Sequence, residues 1–173
     1  VTLSSIFSHI ERQTPSADKS ALLATLMPYY QEISSQRNLP KTKLAEVNRM
    51  IGICALRSGN YVLAEKAFRR MSELSDDPAT LNQLAEALRK QGKKQEADGI
   101  SRKLIERYSN SAIPAEHAEA VRALQTLSDD PAGAEWKQAF GMITGLLKND
   151  PANPEYRFQY AVMLGRNPRL FRT

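Results

Sequence analysis

The chain has 173 residues, 42% apolar and 25% charged, with a net charge of +5, which is long enough for one domain with a continuous core. No segment approaches the roughly 20 consecutive apolar residues that span a bilayer, so no membrane insertion is expected. The single Cys54 excludes an intramolecular disulfide and a cysteine-based zinc cluster. The charge is uneven: 0 over residues 1–40, +5 over 41–109, −3 over 110–153 and +3 over 154–173. A basic middle favours acidic partners but is modest for a nucleic-acid binder. The first residue is Val1, and no basic start, apolar stretch and small-residue cleavage site marks a signal peptide. Processing or excision from a longer chain would both account for that start.

Helix formers dominate from end to end, and no β-branched run alternates in the manner of a strand. Residues 1–40 read as an irregular helix pair, in which Pro28, inside Leu22–Ile33, is expected to kink or split its helix. Breakers then recur at Asn38-Leu39-Pro40, Ser58-Gly59-Asn60, Asp77-Pro78, Gln91-Gly92, Ile113-Pro114, Asp130-Pro131 and Asp150-Pro151. With Thr14-Pro15 they delimit about nine helical segments, each with apolar residues three and four apart.

A period runs through these segments. Ile51-Gly52, Gly59, Tyr61, Ala64, Phe68 and Met71 are followed, 33 residues on, by Leu84-Ala85, Gly92, Lys94, Ala97, Ser101 and Leu104. A third copy has Ala120-Val121, then Trp136, Ala139, Ile143 and Leu146, with about six extra residues between its helices around Asp129–Ala134. A fourth starts at Pro154, with Tyr160-Ala161 and Leu164, and stops after one helix. The units are 45–77, 78–113, 114–153 and an incomplete 154–173, following the irregular 1–40. Small residues (Gly52, Ala85, Ala161, and Ala64, Ala97, Ala139 opposite) let paired helices approach closely. One pair cannot bury its apolar face alone, so units stack. This pattern resembles the tetratricopeptide repeat, well over 45–109 and fairly over 114–165. Asn48 and Leu81 depart from it, standing where that family usually has an aromatic, and Ser101 replaces a large residue. The resemblance implies an all-α, right-handed solenoid of antiparallel helix pairs.

The string SDDPA occurs at Ser75–Ala79 and Ser128–Ala132, and NDPAN at Asn149–Asn153. The two SDDPA copies are 53 residues apart, no multiple of the period. One joins repeats and the other joins helices within a repeat. Two adjacent carboxylates also fall short of the six to eight oxygens that calcium takes. Asp before Pro reads instead as a helix start: the carboxylate accepts from unpaired backbone N–H groups, and Pro suits the first turn. No metal and no cofactor is implied. His9 and His117 stand on separate helices, no H-E-x-x-H, G-x-S-x-G, C-x-x-C or Gly-rich phosphate loop occurs, and no catalytic residue is assigned. Cys54 reads as an inert core thiol. Trp136 and Tyr61, both opening a second helix, read as core. Arg89-Lys90-Gln91-Gly92-Lys93-Lys94 reads as a solvated basic turn.

In the family resembled, the first helix of each pair lines a concave groove for extended peptides or helices. Carried onto this sequence, that face comprises Arg49, Ile53, Leu56 and Arg57; Asn82, Glu86, Arg89 and Lys90; Ala118, Arg122 and Gln125; and Phe158 and Val162. Apolar and cationic residues along one surface suit an acidic or amphipathic peptide, with Arg offering paired donors to carboxylates. The bland reading is that these are solvated helix positions. The carboxylate clamp of chaperone-tail binders is argued against by Ile53, Ala115 and Glu119, which stand where that clamp is polar or basic. The expected function is a non-catalytic interaction scaffold for a protein partner. The Ala-, Gln- and Arg-rich repeats resemble those of bacterial envelope machinery for polysaccharide export, pilus assembly or outer-membrane insertion, so a periplasmic setting is slightly favoured over a cytoplasmic one. The alternative is an RNA- or polyanion-binding repeat using residues 41–109. The last unit carries Tyr156, Phe158, Tyr160, Ala161 and Leu164 and leaves five residues after Pro168. Self-association, a following helix or the Leu170-Phe171 tail is expected to cover them.

Overall fold

The computed structural model describes residues 16–36, 38–127 and 133–166. All regular structure among them is helical: α1 Ser16–Ser34, α2 Lys41–Arg57, α3 Tyr61–Leu74, α4 Pro78–Lys90, α5 Lys94–Tyr108, α6 Pro114–Leu127, α7 Ala134–Asn149 and α8 Pro154–Arg166. Eight helices are thus described against the nine expected, and the first expected segment falls in residues 1–15, outside the described residues. Pro28 does not split its helix, since α1 continues through it as one element.

The turns repeat with the same period as the helices. Gly59 and Gly92 sit at φ 81° and 79°, in the left-handed region that L side chains rarely adopt. Immediately after each, a backbone N–H reaches back five residues: Asn60 N–H to Ala55 O at 2.8 Å, and Lys93 N–H to Leu88 O at 3.0 Å. Both are C-terminal helix caps of the Schellman type. The starts of α3 and α4 are capped by side chains. Asn60 accepts from Leu63 N–H at 3.2 Å, and Asp77 accepts from Ala79 N–H at 3.2 Å ahead of Pro78. At NDPAN the last helix starts at Pro154, as expected for its unit, but the capping residue is not the Asp of the Asp-Pro pair. Asp150 precedes Pro151 but does not start α8; Asn153 does, accepting from the N–H groups of Glu155 and Tyr156 at 3.1 and 3.3 Å. Asp150 instead accepts from the Asn153 amide at 3.1 Å, which holds the capping side chain in place. The second SDDPA lies outside the described residues.

The chain forms two compact units, residues 1–94 and 95–173. In the first, α1, α2, α3 and α4 each pack on the next, and α2 also meets α4. That is the two-layer order of a helical solenoid: neighbours in sequence face each other across the layers, and alternate helices lie side by side. Its core joins Leu26 and Tyr30 of α1, Val47, Met50, Ile51 and Cys54 of α2, and Ala67 of α3. The closest approach is at Gly52, where an added Cβ would lie 2.7 Å from two atoms of the Phe68 ring. Phe68 is fully buried. In the second unit, α7 packs on α6 and α8, and α6 meets α8. Val121, Trp136, Ala139, Ile143 and Met163 fill its centre, with Ile105 of α5 against them. Trp136 stacks on Phe140 at 4.9 Å and Phe140 on Tyr160 at 5.4 Å, so the core role expected for Trp136 is met. Ala64, Ala85, Ala97 and Ala139 are fully buried as expected. Ala161 is not: it lies exposed, because no described helix packs on that side of α8.

Gly52→Ala is expected to destabilise the chain. The helix gains about 1 kcal/mol of propensity, but crowding a packed ring costs about 1–3 kcal/mol. Ala64→Leu should cost a similar amount, while exposed Lys103→Ala should stay within about 0.5 kcal/mol. Urea unfolding checks all three, and adding Phe68→Leu to Gly52→Ala should recover part of the loss.

Candidate functional site

The residues projected onto the groove divide between the two units. In the first, Arg49, Ile53, Leu56 and Arg57 recur at helical spacing on α2, and each has its counterpart 33 residues on, in Asn82, Glu86, Arg89 and Lys90 of α4. α2 and α4 touch, so the two rows lie on neighbouring helices of one unit. Arg57, Glu86 and Lys90 are exposed, and the other five are half-buried. Ile53 is shared with the core, packing against the α1–α2–α3 cluster. Beside this row sits Tyr30, 4% exposed, with its hydroxyl unpartnered. Burial pushes its phenol up to about 12, assisted by Cys54 and Glu46 and opposed by the Arg49 charge.

In the second unit the projected positions behave differently. Ala118 and Gln125 are buried and line no open surface, which corrects their assignment. The Gln125 carbonyl accepts from the Arg166 guanidinium at 2.8 Å, which ties α8 to α6. Arg122 lies between two carboxylates. It donates to both oxygens of Glu119 at 2.9 and 3.0 Å and to Glu155 of α8. Burial alone would raise the Glu155 carboxyl, but hydrogen bonds from Gln159 and Arg122 hold it below the usual carboxylate value. Arg122 therefore acts here as a brace between α6 and α8, with its charge met inside the unit. Phe158 stands 66% exposed on α8, and Val162 is half-buried.

The basic turn after α4 is tied down. Glu65 of α3 accepts from Lys93 at 2.7 Å, from the Gln91 amide at 2.9 Å and from Arg69 at 3.0 Å. Gln91 also donates to the carbonyls of Tyr61 and Ala87. Burial works against ionisation of Glu65, yet the donors of Lys93, Gln91 and Arg69 prevail and hold its carboxyl at about 2. Sequence separation from 26 to 28 residues, with no motif to mark it, hid this hub.

A cleft between α1, α2 and α3 was not foreseen either. Its volume is about 150 Å³, with Asn48, Ile51, Leu63 and Ala67 on its floor and Lys66 and Arg70 at its mouth. Elsewhere the chemistry is sparse. The Cys54 side chain is buried. His117 is half-buried with Nε2 unpartnered, and burial lowers its pKa. His9 lies outside the described residues. Among the described residues no group of three or more His, Cys, Asp or Glu could hold a metal ion, and no helix is long and apolar enough to cross a membrane.

Residues 83–111, covering most of α4, the basic turn and α5, match the family model for the tetratricopeptide repeat. No curated protein and no solved structure matches the chain.

The Glu65 hub gives a pH prediction. A carboxyl held at about 2 against an ordinary 4.5 contributes stability that is present above about pH 4.5 and lost as the pH falls through about 2. Urea stability of the wild type should fall across that window. Glu65→Gln should be less stable at neutral pH, with the gap between the two closing by about pH 2. Parallel curves across the window would contradict the hub.

Proposed function

From the tetratricopeptide-repeat match over residues 83–111, we propose that the chain is a non-catalytic scaffold binding an acidic or amphipathic peptide, or a partner helix, along a surface shared by α2 and α4. Repeats of this kind support a general role in protein–protein interaction. The observation that carries the finer reading is the contact of α2 with α4, which sets two equivalent rows side by side. Cationic Arg49, Arg57, Arg89 and Lys90 flank Ile53 and Leu56, with Asn82 and Glu86 as polar neighbours. An extended acidic segment finds paired donors there and an apolar strip between them. Phe158 offers a separate exposed aromatic in the second unit, while Arg122 is the weakest member of the set because Glu119 and Glu155 already engage it. We extend the reading to a bacterial envelope assembly or export system, supported by the Ala-, Gln- and Arg-rich composition of the repeats.

The second reading, a polyanion-binding repeat using residues 41–109, draws on their net charge of +5. It is weakened by Lys93 and Arg69, which pair with Glu65 inside the unit.

Fluorescence anisotropy with a capped peptide of alternating glutamate and leucine, and with a single-stranded oligouridine, tests both. The peptide should bind, retaining most of its affinity as salt rises, whereas an RNA binder would lose affinity steeply. Arg49→Gln combined with Arg57→Gln and Lys90→Gln should weaken the peptide about tenfold, roughly 1.4 kcal/mol, with the melting temperature unchanged. Full-strength peptide binding by this triple variant would refute the α2–α4 surface.

A further inference from the structure

Asn48 is an anomaly in the first unit. It is 4% exposed, yet it is a polar residue on the side of α2 that faces α1 and α3. Its equivalent 33 residues on is Leu81. The Asn48 amide Nδ2 donates to the Leu44 carbonyl one turn back, at 2.7 Å, and so is satisfied within its own helix. The Oδ1 is left as an acceptor at the floor of the cleft, where Ile51, Leu63 and Ala67 supply apolar walls. A short amide in place of a larger apolar side chain accounts for the space.

The cleft's size restricts its guest. Drug-sized ligands and cofactors take roughly 300–1,000 Å³, and a cavity of about 150 Å³ holds one benzene-sized group. At 150 Å³ this cleft admits a single side chain. The charge at its mouth restricts the guest further. Lys66 and Arg70 stand four residues apart on one face of α3, both exposed, and neither forms an ion pair with a described residue. Like charges at that spacing repel. The neighbouring carboxylate that could relieve them, Glu65, is held by Lys93, Gln91 and Arg69. Gln31 and Ser34 of α1 complete a polar rim with no acidic residue in it.

We propose that this cleft is a docking site for an acidic peptide segment of a partner protein, which inserts one apolar side chain beside Asn48 and sets an adjacent carboxylate against Lys66 and Arg70. The two cations at the mouth, Lys66 and Arg70 one turn apart, favour a peptide over a simple fatty acid, because an acidic segment can bring a carboxylate on each side of the inserted side chain and a fatty acid brings only one. The site is separate from the α2–α4 surface. At about 100° per residue, the midpoint of Asn48 and Ile51 lies roughly 140° round α2 from that of Arg49, Ile53 and Leu56. A partner could therefore grip α2 from both sides.

Capped pentapeptides Gly-Glu-X-Glu-Gly, with X as leucine, phenylalanine, alanine or lysine, are the probes, and amide chemical shifts of the isotope-labelled full chain are the readout. The leucine and phenylalanine peptides should shift Asn48, Ile51, Leu63 and Ala67, the alanine peptide should bind more weakly, and the lysine peptide should not bind. Lys66→Ala with Arg70→Ala, both exposed positions, should weaken binding about tenfold or more. Asn48→Leu should fill the cleft and abolish binding while the chain still melts cooperatively. Arg57→Gln with Lys90→Gln should leave these shifts unchanged, which keeps failure of the cleft distinct from failure of the α2–α4 surface. Shifts confined to other residues, or undiminished binding by Lys66→Ala with Arg70→Ala, would overturn the proposal. So would decanoate binding in the cleft where the peptides do not, which would assign it to a lipid-like carboxylate.

Discussion

Phe68 lies against the backbone of α2 at the position where residue 52 has no side chain, and the geometry of the first unit follows from that contact. A ring this close to a helix axis fixes both the separation and the rotation of α2 relative to α3. With that side closed, α2 turns Met50, Ile51 and Cys54 into the core it shares with α1 and α3. Arg49, Leu56 and Arg57 stand outside that core, half-buried or exposed, on a helix that also meets α4. Both candidate surfaces are thus consequences of one close approach. A wider separation would open the cleft to water and slide the α2 row out of register with α4.

Electrostatics then sorts the cations by what they can still do. A net charge of +5 suggests a basic surface, but much of the positive charge answers internal carboxylates. Lys93 and Arg69 converge on Glu65, and Arg122 bridges Glu119 and Glu155. Losing one partner of such a pair costs most when the group left behind is largely removed from water, and the Glu65 side chain is only 13% exposed. They position helices and turns, and they are poorly placed to recruit a polyanion. The proposed recognition rests on cations with no ion-pair partner among the described residues, Arg57 and Lys90 on α2 and α4 and Lys66 and Arg70 at the cleft. Both proposals ask the partner for a carboxylate beside an apolar group.

The 33-residue period made the architecture readable in advance. It placed Gly59 and Gly92 where left-handed turns are needed, Asp77 where α4 needs a cap, and Gly52 and the buried alanines where helices meet. These features depend on backbone conformation within a few residues, or on volume at one seam repeated along the chain, and both leave a periodic trace. At NDPAN the cap is Asn153, directly before Pro154, and Asp150 three residues back accepts from its amide.

The amino-acid sequence by itself determined the helices, their turns and the seam residues, because those are set by local hydrogen bonding and by spacing along one helix. Only the tertiary structure decided which polar groups meet. Glu65 finds Gln91 and Lys93, the Gln125 carbonyl finds Arg166, and Asn48 is left at the floor of a cleft. It also buried Ala118 and Gln125 and left Ala161 exposed, although periodicity had suggested the reverse. Periodicity names the face of a helix but not the neighbour that covers it. Burial and charge pairing depend on that neighbour, and on contacts between residues up to 41 positions apart.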